Sequence, residues 1–363
     1  MFKRFGTIVG YALLWIIIIT AIIWAATLSK RHAAEQLVTK TSINISDGGD
    51  SPLIDEEAVL LWLKEQGVHP EGEYAAKVDI AAIEHRLQSH NAVADANVYV
   101  TRDGDIKIDI TQREPIARLR IKGYDMYVTE AGYLLSAKDV SAAHVPVITG
   151  SYRPLFGSDY MGYMADVVRD SIATLEEEIG RLEEAKTPHL KALIDNNASL
   201  RQARRSSPKK NLFTSEENYA VLVESYKERL SRAVAAHSYN EQRIMADIDA
   251  LSQQQEEARH KCSEVDRQRS EFEALISFLK MVGNSKEWSS EIVQIVISGG
   301  GNEPLQIAFV PRSGRFTVDL GTTENLDGKL QTLRRFYAKG LDNIGWDRYR
   351  SISLRYQGQV VCR

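Results

Sequence analysis

Cysteine is scarce in this chain of 363 residues, which contains only Cys262 and Cys362. Two cysteines are too few for the disulfide framework that holds small secreted domains together. An excess of charge of one sign is also lacking, since the formal net charge is only −4. Such a balance provides no basic field that would attract nucleic acid, and we therefore predict no nucleic-acid partner.

Motifs for catalysis and nucleotide binding are missing as well. The chain lacks a G-x-S-x-G turn and a Cys/His nucleophile signature, and no lysine follows the glycines of residues 298–304 as it does in a phosphate loop. His85 and His90 are five apart, whereas two metal ligands on one helix face are four apart. We predict no enzyme, cofactor, metal site or small-molecule substrate. A membrane-anchored envelope enzyme with a site assembled from distant residues stays open.

The longest apolar run lies near the N-terminus. No charged side chain occurs between Arg4 and Lys30, and about 20 apolar residues suffice to cross a bilayer as a helix. We predict a cytoplasmic tail at 1–5, a transmembrane helix at 6–29 and a linker at 30–40. A cleaved signal peptide is the alternative, although its apolar region would span only about 7–15 residues. Flanking charges leave the orientation open, and the short leading tail favours a single pass with the bulk of the chain outside the cytoplasm.

A small α+β unit is predicted at 41–113. Strand alternation at Thr41–Ser46 is followed by two amphipathic helical patterns, which Asp55 and Asp79 can cap. Two more strand patterns flank Asp103 and Gly104, and an Asp-Gly pair between alternating runs indicates a hairpin. This β-α-α-β-β order allows the two helices to cover one face of a three-stranded sheet.

The middle of the chain has a heptad pattern. Apolar residues alternate four and three apart, as in a coiled coil, and a basic, proline-containing segment at 201–211 interrupts them. We predict an antiparallel coiled-coil hairpin at 158–283, with an arm of roughly 90 Å, and an ordinary helical domain as the alternative. The basic segment would be a solvated tip or would touch an anionic surface or partner. The predicted seam includes Ile172, Leu175, Ile179, Leu182, Ile248, Leu251, Cys262 and Val265.

Strand patterns on both sides of the coil predict one β domain, formed by 114–157 and 284–363 and interrupted by the hairpin. Arg113, Glu114 and Pro115 would form the joint to the small unit, because Pro115 lacks a backbone donor and suits the start of a strand. A catalytic Arg–Glu pair is the other interpretation, but adjacent residues of a strand face opposite sides. The last strand is predicted as one run at 349–361.

These features together resemble the FtsQ/DivIB family of bacterial cell-division proteins. In that family the small unit is a POTRA domain, and the resemblance covers about residues 1–160 and 275–363. The coiled-coil insertion is not general in the family, and Ser353 occupies a position where the family often has Asp. The residues that carry the resemblance are Arg113-Glu114-Pro115-Ile116-Ala117, Tyr124, Gly132, Leu135, Leu354-Arg355-Tyr356 and Gly358.

The resemblance implies a scaffold that links early and late division proteins and helps regulate septal peptidoglycan synthesis. It implies an inner-membrane protein with a periplasmic bulk, enriched at the division septum. The implied partners are FtsB-like and FtsL-like proteins, with FtsW/FtsI-like and FtsK-like proteins as further candidates. An FtsB-like segment would pair with the C-terminal edge strand. The predicted contacts are Tyr349, Ile352, Leu354, Arg355, Tyr356, Gly358 and Val360.

Two other interpretations stay open. A periplasmic adaptor of an export system also combines one anchor, a helical hairpin and β domains. However, the sequence shows no pair of lipoyl-like half-motifs around residues 160 and 280. The last strand would also fit an internal position in the sheet, where no partner segment could reach it.

Overall fold

The computed structural model describes residues 15–24, 36–46, 52–138, 140–341, 345–346, 348–356 and 358–363. The predicted tail lies outside these ranges, as does the predicted transmembrane helix except for residues 15–24, which are helical. Within the described residues, no helix combines the length and apolar character that a membrane crossing requires.

The small unit has the predicted β-α-α-β-β order. Its sheet has the strand order β1-β3-β2, in which β1 is parallel and β2 antiparallel to β3. Asp55 accepts a hydrogen bond from the Ala58 N–H at 2.7 Å, and Asp79 accepts one from Ala82 at 3.0 Å, so both predicted caps form. The elements are β1 (Thr41–Ser46), α1 (Glu56–Glu65), α2 (Ile80–Gln88), β2 (Val93–Val100) and β3 (Ile106–Gln112).

Two long helices form the middle of the chain. They are α3 (Met164–Arg205), with 42 residues, and α4 (Glu216–Asn284), with 69 residues. At about 1.5 Å per residue, α4 is roughly 100 Å long. Lys186 bonds to Gln255, and Asn196 bonds to the carbonyl of His237. Positions therefore rise along α3 as they fall along α4, which makes the pair antiparallel.

Strands from both sides of the helical hairpin form one sheet. Its order is β13-β12-β11-β10-β9-β7-β4-β5-β6-β8. The central neighbours β7 and β9 are parallel, with Val147 opposite Gln294. The strands are β4 (Pro115–Ile121), β5 (Tyr124–Thr129), β6 (Tyr133–Ser136), β7 (Val147–Gly150), β8 (Gly162–Tyr163), β9 (Ile292–Gly300), β10 (Glu303–Pro311), β11 (Thr317–Thr322), β12 (Ser351–Ser353) and β13 (Val361–Cys362).

The C-terminal part of α4 belongs to the core of this β domain. Phe278, Leu279 and Val282 are buried in one cluster with Ile295 of β9 and Phe309 of β10. Burying each such side chain stabilises the fold by about 1.5–3 kcal/mol. The hairpin is therefore continuous with the core at its base. The remaining helices are α5 (Lys286–Glu291) and α6 (Leu326–Phe336), and a π-helical turn (Tyr337–Leu341) follows α6.

The prediction of one continuous last strand at 349–361 is wrong. β12 is only three residues long and pairs in parallel with β11. The chain then turns through Gly358, whose φ is +71°, and returns as β13 antiparallel to β12. A residue with positive φ does not continue a strand, and glycine adopts it at least cost. β12 thus has neighbours on both sides, and β13 takes the end of the sheet.

Candidate functional site

Among the residues that the structure describes, no strand pairs with β13 on the side away from β12. Arg363 donates its N–H to the Ser351 carbonyl at 3.0 Å, and Ser351 donates back to Arg363 at 3.1 Å. Residues of an antiparallel pair alternate between exchanging both bonds with the neighbour and exchanging none. Cys362, which lies opposite Ile352, therefore directs its N–H and C=O outward. An incoming strand can bond to such groups.

Two neighbouring side chains lie beside this edge, one held by an ion pair and the other exposed to solvent. Arg355 donates through Nε to Oδ2 of Asp319 in β11 at 2.6 Å, and this ion pair holds its guanidinium against the sheet. Tyr356 follows directly and leaves 64% of its surface exposed. Exposed aromatic side chains next to an open edge are typical of the few residues that dominate binding energy in an interface.

A shallow groove of about 200 Å³ lies between the turn after β12 and the start of α6. Lys329 lies in its wall and donates to the Thr322 carbonyl at 2.9 Å. Burial lowers the pKa of Lys329. The groove therefore combines a partly desolvated cation and a fixed guanidinium with the nearby carboxylates of Glu324 and Asp319, which suit a polar side chain of a partner. Its walls include Thr322, Glu324, Asn325, Lys329, Arg355, Tyr356 and Gly358.

The predicted partner contacts divide into two groups in the structure. Arg355, Tyr356, Gly358 and Val360 lie in the turn and approach to β13, so they surround the open edge. Ile352 and Leu354 are only 0% and 2% exposed, and Tyr349 packs against the same core. The side chains of Ile352 and Leu354 therefore lie in the core and not beside the open edge. Partner binding by the exposed group stays a prediction.

Sequence reasoning missed Cys362 as an edge residue. The available signal was Gln359, which breaks the apolar alternation two residues before β13 begins. Reading that break as a turn, together with Gly358, would have split the strand. The register of the returning segment was not accessible, because it depends on the pairing with β12.

Arg113 contacts both domains at the predicted joint. Its backbone N–H donates to the Ala92 carbonyl at 2.8 Å, and its Nε donates to the Asn91 carbonyl at 3.2 Å. Its guanidinium carbon lies 3.4 Å from the centre of the Tyr133 ring in β6. Glu114 is exposed, and Pro115 begins β4. The arrangement is a clamp between domains, and nothing in it pairs Arg113 with Glu114.

The two domains also share buried side chains. Tyr127 of β5 and Leu135 of β6 are buried in the same cluster as the core of the small unit. The Leu53 N–H donates to the Gln112 side chain at 2.8 Å, and the Ser141 N–H donates to the Leu53 carbonyl at 2.8 Å. Apolar packing and paired backbone groups therefore join the two domains along this face.

The eight predicted seam residues are all buried or half-buried. Val265 is buried, and Ile172 and Leu175 pack against the core of the β domain. A polar layer interrupts the seam at Gln255, which is buried. Gln255 donates to Glu183 at 2.8 Å and accepts from Lys186 at 2.5 Å. A buried polar layer of this kind fixes the register of a coiled coil.

An ionic cluster fastens the base of α4 to the β9–β10 hairpin. Arg267 pairs with Glu264 and Glu271 and donates to the carbonyls of Gly301 and Glu303. Its hydrogen bond to Glu264 lowers the pKa of that carboxyl group. The cluster ties a helix of the hairpin to two strands of the sheet. In the described part of the chain, no group of three or more His, Cys, Asp or Glu side chains is arranged to hold a metal ion.

Two family models match the chain. One, described as a POTRA-like domain, matches residues 36–111, which contain α1, α2 and nearly all of the three-stranded sheet. The other, described as FtsQ/DivIB, C-terminal related, matches residues 249–363, from the middle of α4 through β13. No curated protein matches the chain. The second match includes both the ionic cluster at the base of α4 and the open sheet edge.

Proposed function

We propose, from the premise that this chain belongs to an FtsQ/DivIB-like family, that it binds an FtsB-like partner by strand addition to β13. The two matched domains make it a division-related scaffold in general terms, and the proposal assigns it no enzymatic activity. In the proposal, one N-terminal span holds it in the inner membrane with its bulk in the periplasm. It concentrates at the septum, links early and late division proteins and helps regulate septal peptidoglycan synthesis.

The observation that carries the proposal is the outward-facing main chain of Cys362. An added strand gains backbone hydrogen bonds there, and side-chain pockets beside the edge supply selectivity. Tyr356 offers an exposed aromatic surface, while the groove lined by Lys329, Arg355 and Glu324 receives a polar side chain. The ion pair between Arg355 and Asp319 keeps this surface in place before the partner arrives.

Further partners would use other surfaces. An FtsL-like chain would arrive together with the FtsB-like chain. In the small domain, β1 and β2 lie at the two ends of the described sheet, and either edge could receive a strand from an FtsK-like or FtsW/FtsI-like protein. These assignments come from the family and not from a feature specific to this chain.

Depletion in the source bacterium tests the cellular role. We expect filamentous, undivided cells after depletion and recruitment of a fluorescent fusion to midcell before constriction. Normal division with an even envelope signal would contradict the division role and favour the adaptor of an export system.

Two substitutions at one residue test strand addition. Cys362→Pro removes the outward backbone donor but leaves the bonds of Arg363 to Ser351 intact. Cys362→Ala keeps that donor. We expect the proline variant to lose co-purification of the FtsB-like protein and to fail in complementation, while the alanine variant retains both. Equal binding by the two variants would show that the partner does not pair with β13.

A side-chain test uses a matched pair of tyrosines. Tyr356→Ala removes the exposed ring at the edge, and Tyr239→Ala removes a ring on α4 that is similarly exposed, at 67%. Truncating a dominant interface residue costs about 2 kcal/mol or more, which weakens binding by more than about tenfold. We expect this loss only for Tyr356→Ala, measured as the dissociation constant for an FtsB-like peptide.

A further inference from the structure

The loop between α3 and α4 exposes two large apolar side chains. We call residues 206–215 the tip loop. Leu212 is 100% exposed and Phe213 is 97% exposed. The loop lies about 45 Å along α3 beyond Leu175, which still packs against the core of the β domain. Contiguous apolar surface that is fully open to water marks a site of contact with a protein or a membrane.

The turn that presents this pair is held by hydrogen bonds. The Asn211 side chain accepts from the Phe213 N–H at 3.1 Å and from the Thr214 hydroxyl at 2.7 Å. The Ser215 hydroxyl accepts from the Asn218 N–H at 3.3 Å and caps α4. Side-chain bonds of this type fix a turn. Leu212 and Phe213 are therefore held outward by the fold of the loop.

Unpaired basic side chains lie at the end of α3 and in the tip loop, close in the chain to the apolar pair. Among the described residues, Arg201, Arg204, Arg205 and Lys209 form no ion pair, whereas Lys210 pairs with Glu216. Elsewhere on the coil, some cations pair along the helix, as Arg232 does with Glu228, and the unpaired ones, such as Lys191 and Arg243, are single residues and not a cluster. The tip thus combines an excess of positive charge with an exposed apolar pair.

We propose that the tip loop docks on the surface of an anionic phospholipid bilayer. Leu212 and Phe213 insert at the boundary between head groups and acyl chains, and the four basic residues lie at the level of the phosphates. A bilayer surface places an apolar phase and a dense layer of anions within a few ångströms of each other. Neither the apolar pair nor the basic cluster alone would select a bilayer.

A flotation experiment with the full chain tests this inference. The protein is held in nanodiscs of phosphatidylcholine and mixed with vesicles of phosphatidylcholine, with or without phosphatidylglycerol. We expect it to float with the phosphatidylglycerol vesicles at low salt and to detach as salt is raised. Vesicles of phosphatidylcholine alone should bind it far more weakly.

Three variants separate the contributions. Leu212→Ser combined with Phe213→Ser should weaken vesicle binding by at least about tenfold, because both buried apolar contacts are lost. Arg204→Gln combined with Arg205→Gln should weaken binding and reduce its dependence on salt. The matched control combines Ile194→Ser with Tyr239→Ser, which alters two coil side chains that are each 67% exposed. The control should bind as the parent does.

Circular dichroism tests whether the variants are folded. We expect them to be, since fully exposed side chains contribute little to stability. Equal flotation of the parent and the Leu212/Phe213 variant would overturn the inference, as would equally strong binding to vesicles of phosphatidylcholine alone. If the parent protein does not bind phosphatidylglycerol vesicles and the Leu212/Phe213 variant shows a division defect, the inference is overturned and the tip contacts an acidic protein instead.

Discussion

At the residue scale, Arg113 shows how one side chain joins two domains. A planar guanidinium can stack on the Tyr133 ring and at the same time donate to the Asn91 carbonyl. A lysine ammonium has the charge but lacks the plane and the fixed fork of donors.

We therefore expect Arg113→Lys to lower the free energy of unfolding by about 1 kcal/mol, the scale of a partly desolvated cation–π contact. Urea denaturation followed by tyrosine and tryptophan fluorescence measures the change. Arg102→Lys, at an exposed position in the β2–β3 turn, is the control and should leave the midpoint unchanged. A similar loss in both variants would mean that the stacked geometry contributes nothing.

Gly150 illustrates a position where backbone approaches backbone. Its φ is +126°, and a Cβ added there would lie 1.9 Å from the carbonyl oxygen of Ile297 in β9. Gly150→Ala should cost more than about 3 kcal/mol, because strain and the clash both act where β7 meets β9. Gly283→Ala, on α4 with nothing within 4 Å of the added carbon, should instead stabilise by about 0.5–1 kcal/mol. Soluble yield and urea midpoints distinguish the two.

At the scale of elements, the ionic cluster at the base of α4 makes stability depend on pH. The hydrogen bond from Arg267 lowers the pKa of Glu264 from its usual value of 4.5. A carboxyl group whose pKa is lower in the folded state than in the unfolded chain stabilises the folded state at pH values above its unfolded pKa. The contribution is therefore fully present above about pH 4.5 and is lost as pH falls through the lowered value.

Glu264→Gln should make the urea midpoint less dependent on pH between about 5 and 3 than it is in the parent protein. The variant should also be less stable than the parent at neutral pH, since Arg267 keeps its burial but loses one anion. The control is Glu256→Gln, an exposed position on the same helix. If the urea midpoints of the parent and of Glu264→Gln change with pH in parallel over the whole range, the ionic cluster does not control the loss of stability in acid.

Elements with strong local signals were predictable from sequence. Asp55 and Asp79 mark helix starts because their side chains accept from backbone N–H groups three residues later. The heptad pattern located the long helices for the same local reason. The end of the chain has no such signal, since β12 and β13 depend on pairing with β11 and with each other. The exposure of Leu212 and Phe213 could also not be predicted, because the sequence does not show whether another part of the chain covers two apolar residues beside a basic segment.

At the scale of the whole molecule, the hairpin has two parts with different roles. Its base, including Val265 and Phe272, is core of the β domain. Its distal part is held mainly by contacts between α3 and α4, with the layer of Lys186 and Gln255 near the boundary. The distal segments of α3 and α4 can therefore be removed together without opening the β domain.

We expect a variant in which a short Gly-Ser turn replaces residues 184–254 to keep a cooperative unfolding transition and to bind the FtsB-like peptide normally. It should lose flotation with phosphatidylglycerol vesicles, because the tip loop is gone. Thermal unfolding, peptide titration and flotation on one preparation make the three comparisons. An aggregated variant would contradict the division of the hairpin into an independent distal part and a core-forming base.

The parallel pairing of β7 with β9 also determines the order in which the protein can fold during synthesis. Val147 emerges from the ribosome long before its neighbour Gln294, so β7 can pair with β4 while its other edge stays unpaired until β9 is made. Zipping of α3 against α4 shortens the effective loop between these strands and reduces its closure cost by about 1–2 kcal/mol. We therefore expect the hairpin to assist formation of the sheet, and a nascent chain arrested before β9 to present a bare strand edge that is prone to aggregation.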